Sequence, residues 1–182
     1  VGEGAARLLH VASVVAPSHC MAAIEGLFAR TADQEVRAFG RGRRDTVYAL
    51  ETLLWYDGTF ERAASSLLRL AKAENETWAN NATGQFQGIF RIFLGGTEAN
   101  YGRRIALARE EISVGDAETA RIIAEGLGNA FDSQENRVST DFGGAVAPAE
   151  WRPATASEEI ESRRSAWELL VEIATGHETL VE

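Results

Sequence analysis

The chain has 182 residues, 45% of them hydrophobic and 25% charged, and a net charge of −9. This length supports one domain with a sizeable core or several units of a helical repeat. The acidic balance repels nucleic-acid phosphates, and no apolar run reaches the about 18 residues needed to cross a membrane.

The elements follow from periodicity. Ala5, Leu8, Leu9, Ala12 and Val15 recur at helical spacing and predict a first helix, closed near Pro17. Met21, Ile24, Leu27 and Phe28 predict a second. Thr31-Ala32-Asp33-Gln34 reads as a capping box that opens a short third element. Between Arg44 and Tyr56, Val47, Leu50, Leu53 and Leu54 share one face. Phe60, Ala63, Ala64, Leu67, Leu68 and Ala71 then form a continuous apolar stripe. Asp57-Gly58-Thr59 separates these two helices. Gly58 is expected to take a positive φ that stops the first, and Thr59 to cap the second. A connection this short predicts an antiparallel pair.

Trp78, Ala82, Phe86, Ile89, Phe90 and Phe93 predict an aromatic-striped helix ending at Gly95-Gly96. Within it, Gly84 and Gly88 are expected to let another helix approach. Ile105, Ala108 and Ile112 predict the next helix. A turn at Ser113-Val114-Gly115-Asp116 follows, then a stripe of Ala120, Ile123, Ala124, Leu127 and Phe131. Residues about 132–156 lose periodicity and read as an irregular loop; only 137–147 has any extended character. Thr155-Ala156-Ser157-Glu158 restarts a helix that buries Ala166, Leu169, Leu170 and Ile173. The predicted fold class is all-α: antiparallel helix pairs stacked as an α-solenoid of HEAT or TPR type, or a compact helical-repeat domain. The whole of 1–182 reads as a single helical-repeat domain with degenerate repeats. It begins at Val1 rather than Met and reads as an excerpt of a longer polypeptide.

Few residues offer chemistry. Cys20 is the single cysteine, which excludes an internal disulfide and a thiolate cluster. It reads as a small buried hydrophobe, because adjacent His19 points elsewhere on a helix. His10, His19 and His177 are scattered and lack ligand partners at helical spacing. There is no phosphate-binding loop. The sequons at Asn75 and Asn81 read as chance matches in a cytoplasmic chain. Asn80 and Asn81 read as amides that satisfy a turn or a helix end. Arg41, Arg43 and Arg44 form the densest basic cluster, with Arg37 nearby. They are the candidate partner-contact residues; the alternative is a solvated linker paired with acids such as Asp45. No catalytic, cofactor-binding or metal residue is expected.

Three stretches carry a resemblance: the helix pair from Ala49-Leu50-Glu51 through Ala71, Trp78-Ala79-Asn80-Asn81-Ala82-Thr83-Gly84 with its continuation to Gly96-Thr97, and Glu150-Trp151-Arg152-Pro153-Ala154-Thr155. They resemble the helical-repeat regions of large bacterial ATP-binding proteins of the STAND-NTPase type, linked to anti-phage defence. Asp116 at a turn, with Arg121 and then Ala and Leu at helical spacing, resembles HEAT repeats. The resemblance implies a cytoplasmic, non-catalytic scaffold or sensor segment that needs no cofactor. Its partners would be a protein ligand and flanking domains of the same chain. The alternatives are a nucleic-acid-binding repeat using Arg37–Arg44, and a small helical-bundle enzyme. The bias toward arginine and alanine, with Lys72 the only lysine, fits a GC-rich bacterial genome.

Overall fold

The structure, a computed structural model, describes residues 3–37, 41–132, 140 and 142–176. Among them the fold is all-α, with no strand. The helices are α1 (Glu3–Val15), α2 (Pro17–Phe28), α3 (Asp33–Arg37), α4 (Arg41–Leu54), α5 (Phe60–Lys72), α6 (Ala82–Gly88), α7 (Tyr101–Val114), α8 (Ala117–Gly128) and α9 (Ala156–Gly176), with a 3-10 turn at Asn129–Phe131. None is long and apolar enough to cross a membrane. The chain divides into two compact units, Val1–Phe86 with Val138–Ala149, and Gln87–Arg137 with Glu150–Glu182.

In the first unit α4 packs against α1, α2 and α5. Its Val47, Leu50, Leu53 and Leu54 are buried, as are Phe60, Ala63, Ala64, Leu67, Leu68 and Ala71 of α5. Burial of such side chains contributes roughly 1.5–3 kcal/mol each for the larger ones. In the second unit α9 packs on α7 and α8 and buries Ala166, Leu169 and Ile173. Leu170 is half-buried. Asp116 caps α8, accepting from the Thr119 amide at 3.0 Å and hydroxyl at 2.9 Å.

Several boundaries differ from expectation for local reasons. Gly58 does not adopt a positive φ; among the described residues the left-handed ones are Leu94, Gly96, Gly143 and Gly144. Thr59 occupies the N-cap position of α5 but its hydroxyl makes no cap bond there. It donates backward to Leu53 O at 2.6 Å, so it satisfies a carbonyl at the end of α4 instead. Thr31 does the same for α2, donating to Leu27 O at 2.8 Å. The reciprocal half of the expected capping box comes from Glu35, whose carboxylate accepts from the Ala32 amide at 3.0 Å. The side chains of Asp33 and Gln34, and that of Ala5, lie outside the described residues.

The largest difference is at the expected aromatic helix. Only Ala82–Gly88 is helical, and 91–100 is irregular. Its start is fixed by Asn81, whose side-chain oxygen accepts from the Gly84 amide at 2.8 Å while its amide donates to Glu76 O at 2.9 Å. Gly84 is approached by the carbonyl of Ala79 in this same turn, not by another helix, and Gly88 has open space beside it. The close approach occurs at Gly126 of α8, where a Cβ would lie 2.8 Å from the Phe90 ring. From Asp132 to Thr155 the described residues contain no helix or strand; 133–139 and 141, which include four residues of the possible extended piece at 137–147, lie outside the described residues.

Candidate functional site

The basic cluster separates when its residues are placed. Arg41 starts α4, but its side chain lies outside the described residues. Arg37, at the end of α3, is exposed, and its carbonyl accepts from Asn75 Nδ2 at 2.7 Å. Arg43 is 1% exposed and projects into the first unit. It donates to Leu70 O at 2.7 Å, to Val36 O at 3.4 Å and to the Glu74 carboxylate at 3.1 Å. It therefore ties the ends of α3 and α5 together through their carbonyls. Such ends carry orphan acceptors that a guanidinium satisfies several at a time. The expected surface role of Arg43 does not fit this placement.

Glu74 is the counter-ion and also a cap. It accepts from the amides of Asn75, Glu76 and Thr83 at 3.0–3.1 Å and from the Thr83 hydroxyl at 3.3 Å. Glu76 lies 4.0 Å from Arg43 Nε. Burial raises its carboxyl above the ordinary range, with the Arg43 charge opposing and the Glu74 charge adding to the effect. Glu76 Oε2 and Arg43 Nε are both buried without a hydrogen-bond partner.

Arg44, the next residue on α4, points outward. Its guanidinium sits over the Trp78 ring, 4.3 Å from the centroid. Trp78 is 38% exposed, not part of a buried aromatic stripe. This pair follows from the early turn before α6: Trp78 precedes the Asn81 cap and so stays at the surface. A guanidinium on an indole face gains electrostatic attraction while both remain accessible. Asn80 donates to the Tyr48 hydroxyl of α4 at 3.3 Å, so only Asn81 serves the turn as expected.

The second unit is organised around a buried arginine, part of the Arg103-Arg104 pair that reads from sequence only as a weak basic cluster. Arg104 of α7 is fully buried. It donates to Ala99 O at 2.9 Å, Ile89 O at 3.1 Å and Arg91 O at 2.9 Å. Its guanidinium lies 5.1 Å from the Trp151 ring centroid and 5.8 Å from that of Tyr101. Trp151 is held by its amide bonding to Thr97 O at 2.9 Å, and Glu150 accepts from the Gly96 amide at 2.6 Å. Desolvation pushes Arg104 down to about 10 and pushes Tyr101 upward. A side chain at Gly95 would collide with Arg104. This guanidinium is what ends α6 early: it takes carbonyls that a longer helix would use internally.

Cys20 is buried, donates to Leu9 O at 3.2 Å, and is pushed up to about 11 by burial; a thiol so placed is a poor nucleophile. His10 packs against Tyr48 at 5.7 Å, His19 is exposed, and His177 lies outside the described residues. Among the described residues no three His, Cys, Asp or Glu side chains are grouped to hold a metal ion. No family model, curated protein or solved structure matches the chain.

Proposed function

We propose that this chain is a non-catalytic segment of a HEAT- or TPR-like helical array that binds a protein ligand. It would serve as a cytoplasmic scaffold or sensor in a bacterial STAND-type defence protein. The observation that carries the binding reading is the Arg44–Trp78 pair. Trp and Arg are the residue types that most often dominate protein interfaces, because each presents a large contact area with a directional polar group. Here the two are already stacked, so little ordering is needed on binding. Arg43, by contrast, is used to join helix ends, which removes the centre of the basic cluster from any phosphate-binding role and favours a protein over a nucleic acid.

The test uses the purified chain as bait for proteins from phage-infected and uninfected bacterial cells. The expected result is a specific captured protein, with capture reduced about tenfold or more by Trp78→Ala and by Arg44→Ala. Turnover of nucleotides or esters that tracks the protein and vanishes when one polar residue is changed would overturn the reading. Binding of DNA or RNA that steepens as salt is lowered and is lost with Arg37→Ala would favour the nucleic-acid alternative.

A further inference from the structure

Two helices leave one apolar face uncovered. On α1, Leu8, Val11 and Val15 are 63–76% exposed and fall at i, i+3 and i+7. On α9, Ile160, Trp167 and Val171 are 42–59% exposed and fall at i, i+7 and i+11. Each set follows heptad spacing over about two heptads. In those terms Leu8 and Val15 occupy a positions and Val11 a d position, with Arg7 at the flanking g. Ile160 and Trp167 occupy d positions, Arg164 and Val171 a positions, with Glu161 and Glu168 at the flanking e.

Charge decides what covers them. In a parallel pair a g residue meets the e residue of the partner's following heptad, and in an antiparallel pair like positions meet. Two α9 seams side by side in antiparallel sense place Glu161 and Glu168 of one against the same residues of the other, which is repulsive. In parallel sense Glu168 would need Arg163, which already binds Glu159 and donates to Ala130 O at 3.2 Å. Two α1 seams offer Arg7 no acid. A parallel α1–α9 pair sets Val11 beside Trp167, Val15 beside Val171 and the stem of Leu8 beside that of Arg164. The same register brings Arg7 to Glu168. Among the described residues neither of these has an ion-pair partner, whereas Arg164 and Glu161 are paired with each other.

We infer that copies of this chain associate head to tail, the α1 face of one covering the α9 face of the next. Such a contact is heterologous: each copy offers one face and receives with the other, so copies add to an open chain or, where the rotation closes, to a ring. The inference concerns the outer helices alone and does not depend on the protein ligand proposed above.

Sedimentation of the full chain over a range of concentrations tests this. Wild type should show mass rising past the dimer. Val11→Glu blocks the α1 face and Trp167→Glu the α9 face; both sites are at the surface, and unchanged circular dichroism would verify folding. Each variant alone should be monomeric, and an equimolar mixture should give a one-to-one dimer, because each retains the face the other lacks. Arg7→Glu or Glu168→Arg should weaken association about two- to fivefold, the range of an exposed ion pair, and the double reversal should restore it. A wild type that stays monomeric overturns the inference. So does a Val11→Glu chain that still dimerises, which would mean α9 pairs with itself.

Discussion

Arg43 in the first unit and Arg104 in the second are equally hidden from solvent, yet they are compensated differently. Arg43 has a carboxylate: Glu74 at 3.1 Å, itself 17% exposed, with Glu76 at 4.0 Å. Among the described residues Arg104 has no carboxylate at ion-pair distance; three carbonyls accept from it and two aromatic rings lie beside it. Removing a guanidinium from water costs several kcal/mol in either setting. In the first unit a formal charge offsets that cost. In the second, oriented dipoles, ring quadrupoles and the more distant Glu150 charge oppose it, while desolvation still pushes Arg104 down to about 10. The two units thus use one residue type for one job, gathering main-chain carbonyls, and differ in whether a carboxylate lies beside the guanidinium.

The largest effect is expected at Arg104. Arg104→Met removes the charge but strands the carbonyls of Ile89, Arg91 and Ala99 in an apolar interior. At roughly 1–3 kcal/mol for each unsatisfied group, the loss should be about 3 kcal/mol or more, read as a fall in the urea midpoint. Arg43→Met should cost less, because Glu74 can turn to solvent when released. Equal losses for the two substitutions would break the comparison.

Next in size is Glu74→Gln. The neutral amide leaves Arg43 with a weaker partner, and it loses acceptor capacity for the amides of Asn75, Glu76 and Thr83. A loss of about 2 kcal/mol is expected, with helix content around α6 the most sensitive part. The check is hydrogen exchange at Thr83, which should accelerate well before global unfolding. An unchanged exchange rate there would show that Glu74 does not hold the start of α6.

These two sites also separate what is legible in the sequence from what is not. The stripes of α4 and α5 are legible because each residue's burial depends on neighbours three and four positions away. Arg43 is not, because Arg41-Gly42-Arg43-Arg44 looks like a solvated linker until Leu70 and Glu74, far along the chain, are brought beside it. The early end of α6 is hidden for the same reason: Ile89 and Phe90 fit a helical stripe, and only Arg104 on α7 diverts the carbonyls. The two threonines mislead differently. Thr31 and Thr59 are good cap residues by type, but a hydroxyl can face forward to an amide or backward to a carbonyl, and spacing does not distinguish them. Of the candidate contact residues, Arg44 keeps a surface position; its partner Trp78 fits a helical stripe by spacing, and only the start of α6 after the Asn81 cap leaves it at the surface.

A smaller effect, opposite in sign, is expected at Glu76. Burial raises its carboxyl in the folded chain, so the folded state favours the protonated form. Its contribution to stability is fully present below the unfolded carboxylate value and is lost as pH rises through the higher folded value. Glu76→Gln should therefore stabilise the chain at pH 7, by about 1 kcal/mol or less, and make no difference at acid pH where Glu76 is protonated in both states. Urea midpoints of the two proteins at about pH 4 and pH 7 provide the check. Destabilisation at pH 7 would mean that the Arg43 charge outweighs burial, and the first unit would then depend on two carboxylates rather than one.

The smallest stability effect is expected at Trp78, and its value lies in that smallness. The ring is partly exposed and gains from Arg44 only an exposed cation–π contact, roughly 0.5–1 kcal/mol. Trp151, which faces Arg104, is half-buried and covers a guanidinium that is fully buried. Trp78→Ala should lower the urea midpoint by an amount matching that exposed contact. Trp151→Ala should cost several times more, since it removes a large aromatic contact and uncovers a buried guanidinium. The pairing of Trp with Arg is common to both sites, so the ratio of the two losses isolates the effect of burial. It also bears on function. A residue that contributes little to folding but whose removal abolishes capture of the protein ligand is acting at the interface; one that lowers both in proportion is acting through the fold. Trp78→Ala should fall in the first class. Arg44→Ala should follow it in both measurements, because each side chain orders the other, and the double variant should then lose less binding than the sum of the single losses.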